Sequence, residues 1–596
     1  MSNSDPLYIG VDIGTGSARA ALSRADGTLL YASSYEIRTW RSDTDHRVFE
    51  QSTSDIWGRI CAAVKDCVKG AAGANSESDI ASRVHGIGFD ATCSLASIAV
   101  TDGSGLGVVG ERNLEKEAEE INATGSTVLD YVGGNDEQLI NGMEIPKILW
   151  LKRHMKPELA TGSTARSCCS LTCKCSYVSV IPKPTRDGTS GTGGWDDKFF
   201  HTIGLGELVE RGYGQIGATN GVNAEKVLTA GIPVGRGLSK KAAEELGLLE
   251  GTPVGSGLSM RVLELNWDVD DSYAGWLGTV GARCLVGGGS ELEAHPSVEE
   301  SGHRLAVVAG TSTCHIVQNP VFPGWWMNEG GQSATGQLIE HMISTHPAKD
   351  ALYKKAKEEG KNIYTVLHDT LERLRVEQKV ASYTELTKDL HIYPDFHGNR
   401  SPIADPRMRG SIIGLTLDRS SLSSLALLYH ATLTAIALQT RSIVDTLNGK
   451  GHSIKRLYVS GSQAQNSILM QLLADACYTG EAGAGGNGLE GVVKRDVGGE
   501  GRRDKRVGVS AVVLGAAMLG RMAHVLRLRV MRWKAEILWD IMTEMTPPGV
   551  LVPPATAGSG EVSLEKKILD AKYEIFLETV EIQKRWRDKM DRLTRE

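Results

Sequence analysis

The chain has 596 residues, 41% hydrophobic and 23% charged, enough length and apolar content for two or more cored domains, which excludes a small module and a wholly disordered polymer. Its 65 Lys+Arg against 72 Asp+Glu leave a net charge of −7, which supplies no basic footprint for nucleic acid or an anionic membrane. Glycine is in excess at 69 residues beside only 7 Phe, about 12% where roughly 7% is usual.

In chain order, the opening Met1 to Gly14 shows no basic segment leading into an apolar stretch and cleavage site, and no run of about 18 apolar residues stands out. A soluble, cytoplasmic protein is expected. Leu7 to Ile13 reads as an apolar strand, followed by a Gly14-Thr15-Gly16-Ser17 turn, a second strand to about Ser23, and a third over Thr28 to Tyr35, together a meander. Ser52 to Lys69 carries Ile56, Ile60, Val64 and Val68 at helical spacing. Val84 to Phe89 is a short strand leading into Asp90-Ala-Thr-Cys-Ser-Leu95. The Cys168, Cys169, Cys173, Cys175 cluster lacks the paired C-x2-C units of a zinc site and reads as buried thiols on a helix. The ten cysteines overall fit reduced thiols rather than a disulfide framework.

A second strand, small-residue turn and strand occurs at Arg304 to Ala309, Gly310-Thr311-Ser312-Thr313 and Cys314 to Gln318. Two such openings about 300 residues apart predict a duplicated lobe, with a division into 1–300 and 301–596. Further along, Ser423 to Leu447 and Ser467 to Ala476 read as helices and Arg456 to Ser460 as a strand, and Leu564 to Leu593 as a long, mixed-charge, solvated packing helix.

There is no G-x4-G-K-[ST], which excludes a P-loop enzyme. Gly86-Ile-Gly88-Phe-Asp-Ala91 matches a dinucleotide fingerprint only weakly, because Thr92 to Val100 reads as extended and not as the required helix. A different cradle is available. Asp12-Ile-Gly14-Thr15-Gly16-Ser17-Ala-Arg19 combines a metal-seeking carboxylate, a turn with exposed N–H groups, two hydroxyls and a cation, the parts needed to hold phosphoryl oxygens and Mg2+. Gly310-Thr311-Ser312 offers a second hairpin of the same kind.

With these two hairpins, and with Gly86-Ile-Gly-Phe-Asp90-Ala-Thr-Cys-Ser-Leu95, Asp395-Phe-His-Gly-Asn-Arg-Ser-Pro402 and Leu569-Asp-Ala-Lys-Tyr-Glu-Ile-Phe576, the chain resembles the FGGY family of carbohydrate kinases over most of its length, and within it the D-ribulokinase-type branch. The resemblance implies an α/β fold of two actin-like (ribonuclease H-like) lobes with a cleft between them, closing over ATP and a sugar. It implies that Asp271, in Asp271-Ser-Tyr-Ala-Gly275, is the general base and helps hold Mg2+ with Asp12. Thr15, Gly16, Ser17 and Arg19 would then lie near the transferred phosphoryl group, and Gly310, Thr311 and Ser312 would hold the nucleotide phosphates. Gly461-Ser462-Gln463-Ala-Gln-Asn466 is similar to the family's G-G-x-x-x-N turn at the adenine, with Ser462 in place of the second glycine. Asp90 and Ser94 are the candidates for the sugar hydroxyls. ATP, Mg2+ and a small sugar are the implied partners, with no nucleic acid and no membrane.

Four stretches depart from the family pattern: Gly107 to Leu114 lacks a W-x-D-x-R-like segment, Glu158 to Gly162 jumps over an F-D-L-P-D-x-L-like one, Ser259 to Asp270 interrupts the approach to Asp271, and Gly480 to Arg506 is a glycine-rich, charged insertion where a strand is expected. Their abrupt edges between well-matched flanks point to mis-joined exons, with a degenerate kinase as the competing reading. A lost interior strand would expose ladder groups and lower stability. The activity expected is phosphorylation of the terminal hydroxyl of D-ribulose. The alternatives are a kinase for xylulose, ribitol or glycerol, or a non-catalytic nucleotide- or sugar-binding protein of the actin fold.

Overall fold

The computed structural model describes residues 5–14, 16–41, 49–72, 76–91, 96–99, 120, 149, 152–153, 165–168, 180–184, 190–195, 197–210, 230–257, 272–285, 291–318, 327–418, 420–478, 489–495, 510–529, 532–555 and 562–595. The strands that build its two main sheets are, in chain order, β1 (Leu7–Ile13), β2 (Ser17–Arg24), β3 (Leu29–Glu36), β4 (Val84–Ala91), β5 (Val254–Gly255), β6 (Arg304–Ala309), β7 (Thr313–Gln318), β8 (Met327–Gln332), β9 (Arg456–Ser460), β10 (Gly491–Arg495) and β11 (Gly549–Val552). The helices that matter below are α1 (Thr53–Ala72), α2 (Ser272–Val280), α3 (Gly336–Thr345), α4 (Ile363–Gln378), α5 (Leu422–Gly449), α6 (Ser467–Cys477), α7 (Ala511–Arg529) and α8 (Leu564–Arg595).

Contacts divide the chain into two units. One holds Met1–Gly302, Ile316–Glu329 and Arg495–Gly549; the other holds His303–His315, Gly330–Lys494 and Val550–Glu596. The expected halves were contiguous, whereas Arg495–Gly549, with α7, groups with the first sheet.

The first sheet has the order β5-β4-β1-β2-β3, with β2 antiparallel and β4 parallel to β1. β1 is buried throughout, and its alternation sorts large from small side chains. Leu7, Ile9, Val11 and Ile13 join a core with Ile60, Val64 and Val68 of α1. Each such fully buried aliphatic side chain contributes about 1.5–3 kcal/mol. The opposite face carries glycine. Gly10, Gly88 and Gly255 occupy one register row across β1, β4 and β5. A Cβ on them would stand 1.8 Å from the Val513 oxygen, 1.9 Å from the Ala516 oxygen and 2.2 Å from the Leu519 oxygen. These glycines let the backbone of α7 rest directly on the sheet. The helix is equally tight on its other side, where a Cβ on Gly515 would meet the Ala274 oxygen of α2 at 1.8 Å. Gly86 and Gly88, which supplied the weak dinucleotide pattern, are therefore packing residues.

The second sheet has the order β8-β7-β6-β9-β10-β11, with β6, β9 and β10 parallel. Its first five positions repeat the first sheet: third, second and first strand of the opening, then two later strands. Both lobes are thus mixed sheets flanked by helices, the α/β class expected. β10 corrects the reading of residues 480–506 as an insertion that replaces a strand. Gly491–Arg495 pairs with β9 from Arg456↔Gly491 to Val459↔Lys494, and Val492 and Val493 are buried. The interior ladder is occupied, so the stability loss expected from a missing strand has no basis there. The cysteine cluster needs correction too: Cys168 ends a strand, Ala165–Cys168, that pairs antiparallel with Ala96–Ala99. Cys169, Cys173 and Cys175, like 107–114, 158–162 and 259–270, lie outside the described residues.

Among the described residues, two helices are long and apolar enough by composition to cross a membrane, α5 and the Ala511–Leu528 part of α7. In this fold 78% and 72% of their most apolar windows are buried against the rest of the chain, which accounts for their composition.

Candidate active site

Each lobe carries one half of the expected site at the C-terminal ends of its first and fourth strands. In the first lobe the β1–β2 turn is closed by the Gly14 N–H donating to the Ser17 carbonyl at 2.9 Å. Just before it, Asp12 is the penultimate residue of β1, buried at 1% exposure. The antiparallel register sets Arg19 of β2 opposite Asp12, and the parallel register sets Asp90 of β4 on its other side. Arg19 Nη1 stands 3.2 Å from Asp12 Oδ2, and Arg19 Nε donates to Ser17 Oγ at 3.1 Å. Residues read from sequence as serving metal, phosphoryl group and sugar thus form a single row, Arg19-Asp12-Asp90, across three strands. The row sets two buried carboxylates beside one guanidinium, residue types that hold a divalent cation directly or through water.

α7 bears on the same row. Gly88 lies against Ala516 and Gly86 against Gly520, so the helix runs antiparallel to β4 with its first turn toward the carboxylate end of the strands. Ser510 accepts from the Val512 N–H at 3.2 Å in that turn. The positive end of the helix dipole therefore lies toward Asp12 and Asp90. Nothing in the sequence reading singled out α7; the small residues Ala516 and Gly520, four apart and matched to Gly88 and Gly86, were the available signal.

In the second lobe the turn after β6 repeats the first, the Gly310 N–H donating to the Ser312 carbonyl at 2.9 Å. The start of α3 is laid against it: Thr335 and Gln337 donate their N–H groups to the Thr311 carbonyl at 3.0 and 3.1 Å, and Thr313 and Thr335 share a hydroxyl contact of 2.8 Å. Because β9 is parallel to β6, with Val308 beside Ser460, the Gly461–Asn466 turn emerges next to the Gly310 turn. Gly461 sits at φ +89°, and a Cβ there would lie 2.2 Å from the Ala309 oxygen. Ser462 opens a short 3-10 turn, and its replacement of a family glycine leaves the critical approach to Gly461 alone. Asn466 is committed within the protein. Its side-chain oxygen caps α6 by accepting from the Leu469 N–H at 3.2 Å, and its amide donates to the Tyr429 hydroxyl at 2.7 Å, which in turn meets His368 Nε2 at 3.2 Å. It positions the turn through α4, α5 and α6. Sequence reasoning missed Thr335, Gly336 and Gln463. A Cβ on Gly336 would crowd the Gly310 oxygen at 2.5 Å and Gln463 Nε2 at 3.1 Å, so these three fix the turn's shape.

The turn glycines separate into two kinds. Gly461 is required by its own backbone. Gly16 has no atom within 4 Å of a Cβ position, and for Gly14 and Gly310 the nearest atoms stand at 3.8 Å. The described protein gives no steric reason for glycine there, and the space above them is open to a ligand. Thr15, Ser94 and Asp271 lie outside the described residues; α2 begins immediately after Asp271.

Residues 305–481 match the C-terminal domain of the FGGY family of carbohydrate kinases. The human FGGY carbohydrate kinase domain-containing protein is 35% identical over 622 aligned positions, spanning 97% of each chain. The chain belongs to the FGGY family of carbohydrate kinases. Another FGGY relative, a D-ribulokinase from Saccharomyces cerevisiae, is 37% identical over 88% of this chain and 73% of its own length. Among solved structures, a xylulose kinase from Brucella ovis shares the fold at a TM-score of 0.65, with 16% identity over 97% of this chain and all of that one. As an FGGY carbohydrate kinase, the chain is a phosphotransferase acting on a sugar or polyol.

Proposed function

We propose that the protein transfers the terminal phosphoryl group of ATP to the terminal hydroxyl of D-ribulose, giving D-ribulose 5-phosphate. The observation that carries this reading is the Arg19-Asp12-Asp90 row beneath an open glycine turn, repeated in the second lobe as the Gly310 turn beside Gly461. The choice of sugar rests on the similarity to the yeast D-ribulokinase, over 88% of this chain and 73% of that one, and on the segment Asp90 to Leu95.

In this reading Gly14 to Ser17 and Gly310 to Ser312 hold phosphate oxygens through backbone N–H groups and hydroxyls, while Arg19 neutralises charge on the group in flight. The buried Asp12 carboxylate near the end of β1 suits a divalent cation, and Asp12 and Asp271 would hold Mg2+ through water, where it would neutralise phosphate charge. Asp271 accepts the proton of the attacking hydroxyl, and Asp90 and Ser94 orient the sugar. A site whose polar groups are paired only by the correct polyol discriminates strongly against epimers.

The test is a comparison of kcat/KM for D-ribulose, xylulose, ribitol and glycerol, with ADP release as readout. D-ribulose is expected to lead. A higher value for another acceptor reassigns the substrate, and nucleotide binding with no sugar-dependent ADP release refutes the kinase.

A further inference from the structure

The Gly461–Asn466 turn is pinned at both ends. At its start a Cβ on Gly461 would meet the Ala309 oxygen, and within it Ala464 and Asn466 donate their N–H groups to the Gly461 and Gln463 carbonyls at 3.2 and 3.0 Å. At its end Asn466 belongs to a chain of three side chains drawn from three helices. Tyr429 of α5 stands between Asn466, which caps α6, and His368 of α4. The polarity of this chain is determined. Asn466 Oδ1 accepts from the Leu469 N–H, so its amide nitrogen faces Tyr429 and donates to the hydroxyl at 2.7 Å. The hydroxyl, having accepted, has its own proton to give, and His368 Nε2 lies 3.2 Å away to take it. His368 must then be neutral, with its proton on Nδ1. Burial supplies that state: it holds His368 below the usual imidazole range and pushes Tyr429 up, so that the hydroxyl keeps its proton.

Tyr429 is wholly buried, at 0% exposure, and its ring is placed independently of its hydroxyl. Tyr364 and His368, four apart on α4, flank it with ring centroids at 6.0 and 5.9 Å. A phenylalanine would pack there equally well; the hydroxyl is needed only for the two polar groups it joins. Its loss leaves the Asn466 amide and His368 Nε2 without this partner in the interior, a penalty that drives polar side chains to move. Asn466 passes such movement to the turn, where the exposed Ser462 and Gln465 stand three apart in a 3-10 turn and so on one side of it. We propose that Tyr429 and His368 are positioning residues for the nucleotide: through Asn466 they hold the turn in the shape that binds ATP, and they act on nucleotide affinity without acting on the transfer step. This rests on the kinase reading, in which that turn lies at the adenine. Neither residue was singled out in the sequence.

Tyr429→Phe in the full chain, with calorimetric titration of ADP and steady-state kinetics for both substrates, tests this. The dissociation constant for ADP and the KM for ATP are expected to rise about tenfold, with kcat and the KM of the sugar within about twofold of the parent. His368→Leu, which removes the acceptor, is expected to weaken ADP by a similar factor. His368→Gln, which returns an acceptor oxygen near the Nε2 position, is expected to restore most of the affinity. A merely structural role would lower the melting temperature of all three variants alike and spare ADP binding, and that result overturns the proposal. Equal weakening by His368→Leu and His368→Gln, or a loss in kcat in place of ATP affinity, overturns it too. A parent protein that binds no ADP overturns the kinase reading and this proposal with it, whereas a parent that binds ADP no better than Tyr429→Phe overturns this proposal alone.

Discussion

Replacing Gly88 by alanine puts a methyl carbon 1.9 Å from the Ala516 oxygen, 2.9 Å from its carbonyl carbon and 3.2 Å from the Gly520 nitrogen. All three are backbone atoms of α7, so no side chain can swing away. To reach an ordinary contact near 3.4 Å, strand and helix must part by about 1.5 Å in a close-packed interior. Retreat is blocked behind the helix, where the Gly278 position stands 2.0 Å from the Ala511 oxygen and the Gly515 position 1.8 Å from the Ala274 oxygen. The cost belongs at the upper end of the overpacking range, about 3 kcal/mol. For a unit of several hundred residues that lowers the melting temperature by about 4 °C. Gly58→Ala is the matched control: it lies in α1 with nothing within 4 Å, and the same substitution is expected to stabilise by about 0.5–1 kcal/mol. Calorimetry or urea titration of the two variants reads the difference directly. Equal stability of Gly88→Ala and Gly58→Ala would refute the view that glycine here exists to seat a helix on the sheet.

Gly16→Ala is expected to leave the melting temperature within about 1 °C of the parent, because the position is uncrowded, yet to lower kcat/KM for ATP at least tenfold by filling the phosphate cradle; a destabilised but fully active variant would assign the glycine to folding. Asp271→Asn is expected to lower kcat by about 10²–10⁴-fold with ATP affinity nearly unchanged in calorimetric titration, and substantial residual turnover would remove it as the base. Acid is expected to unfold the protein early. Burial pushes His315 and His430 down to about 3 and His452 and His524 down to about 4. The unfolded chain therefore takes up protons on these four below about pH 6.5 while the folded one does not, and stability is lost from there down to about pH 4 through His452 and His524 and about pH 3 through His315 and His430, at up to about 1.4 kcal/mol per pH unit for each. The buried carboxyls of Asp395 and Asp475, raised chiefly by burial, act in the opposite sense, because the folded protein protonates them above the ordinary carboxylate range. Urea midpoints at pH 7 and pH 5 check the slope, and equal midpoints would contradict it.

Elements with a strong period of their own were legible in the sequence. Arg456–Ser460 has the bounds expected, α1 and α5 differ by a few residues, and the meander of β1 to β3 appears in register. What escaped were features defined by a partner. β10 offers only Val492 and Val493 inside a run of glycines, and its strand character comes from pairing with β9. The closeness of Asp12, Arg19 and Asp90 needs the register of three strands, two of them separated by about 70 residues of chain, which no local pattern encodes. Glycine was the most misleading signal. It suggested phosphate turns at Gly14, Gly16, Gly310 and Gly461, where the structure keeps open space or a positive φ, but gave no hint that Gly10, Gly86, Gly88 and Gly255 make a seat for α7.

Incubating the purified protein with ATP, Mg2+ and D-ribulose, and following the mixture by phosphorus NMR, tests the central claim most directly. Stoichiometric appearance of ADP and a ribulose phosphomonoester esterified at the terminal carbon is the predicted result; ATP that stays intact, or that is consumed at the same rate without the sugar, would contradict it.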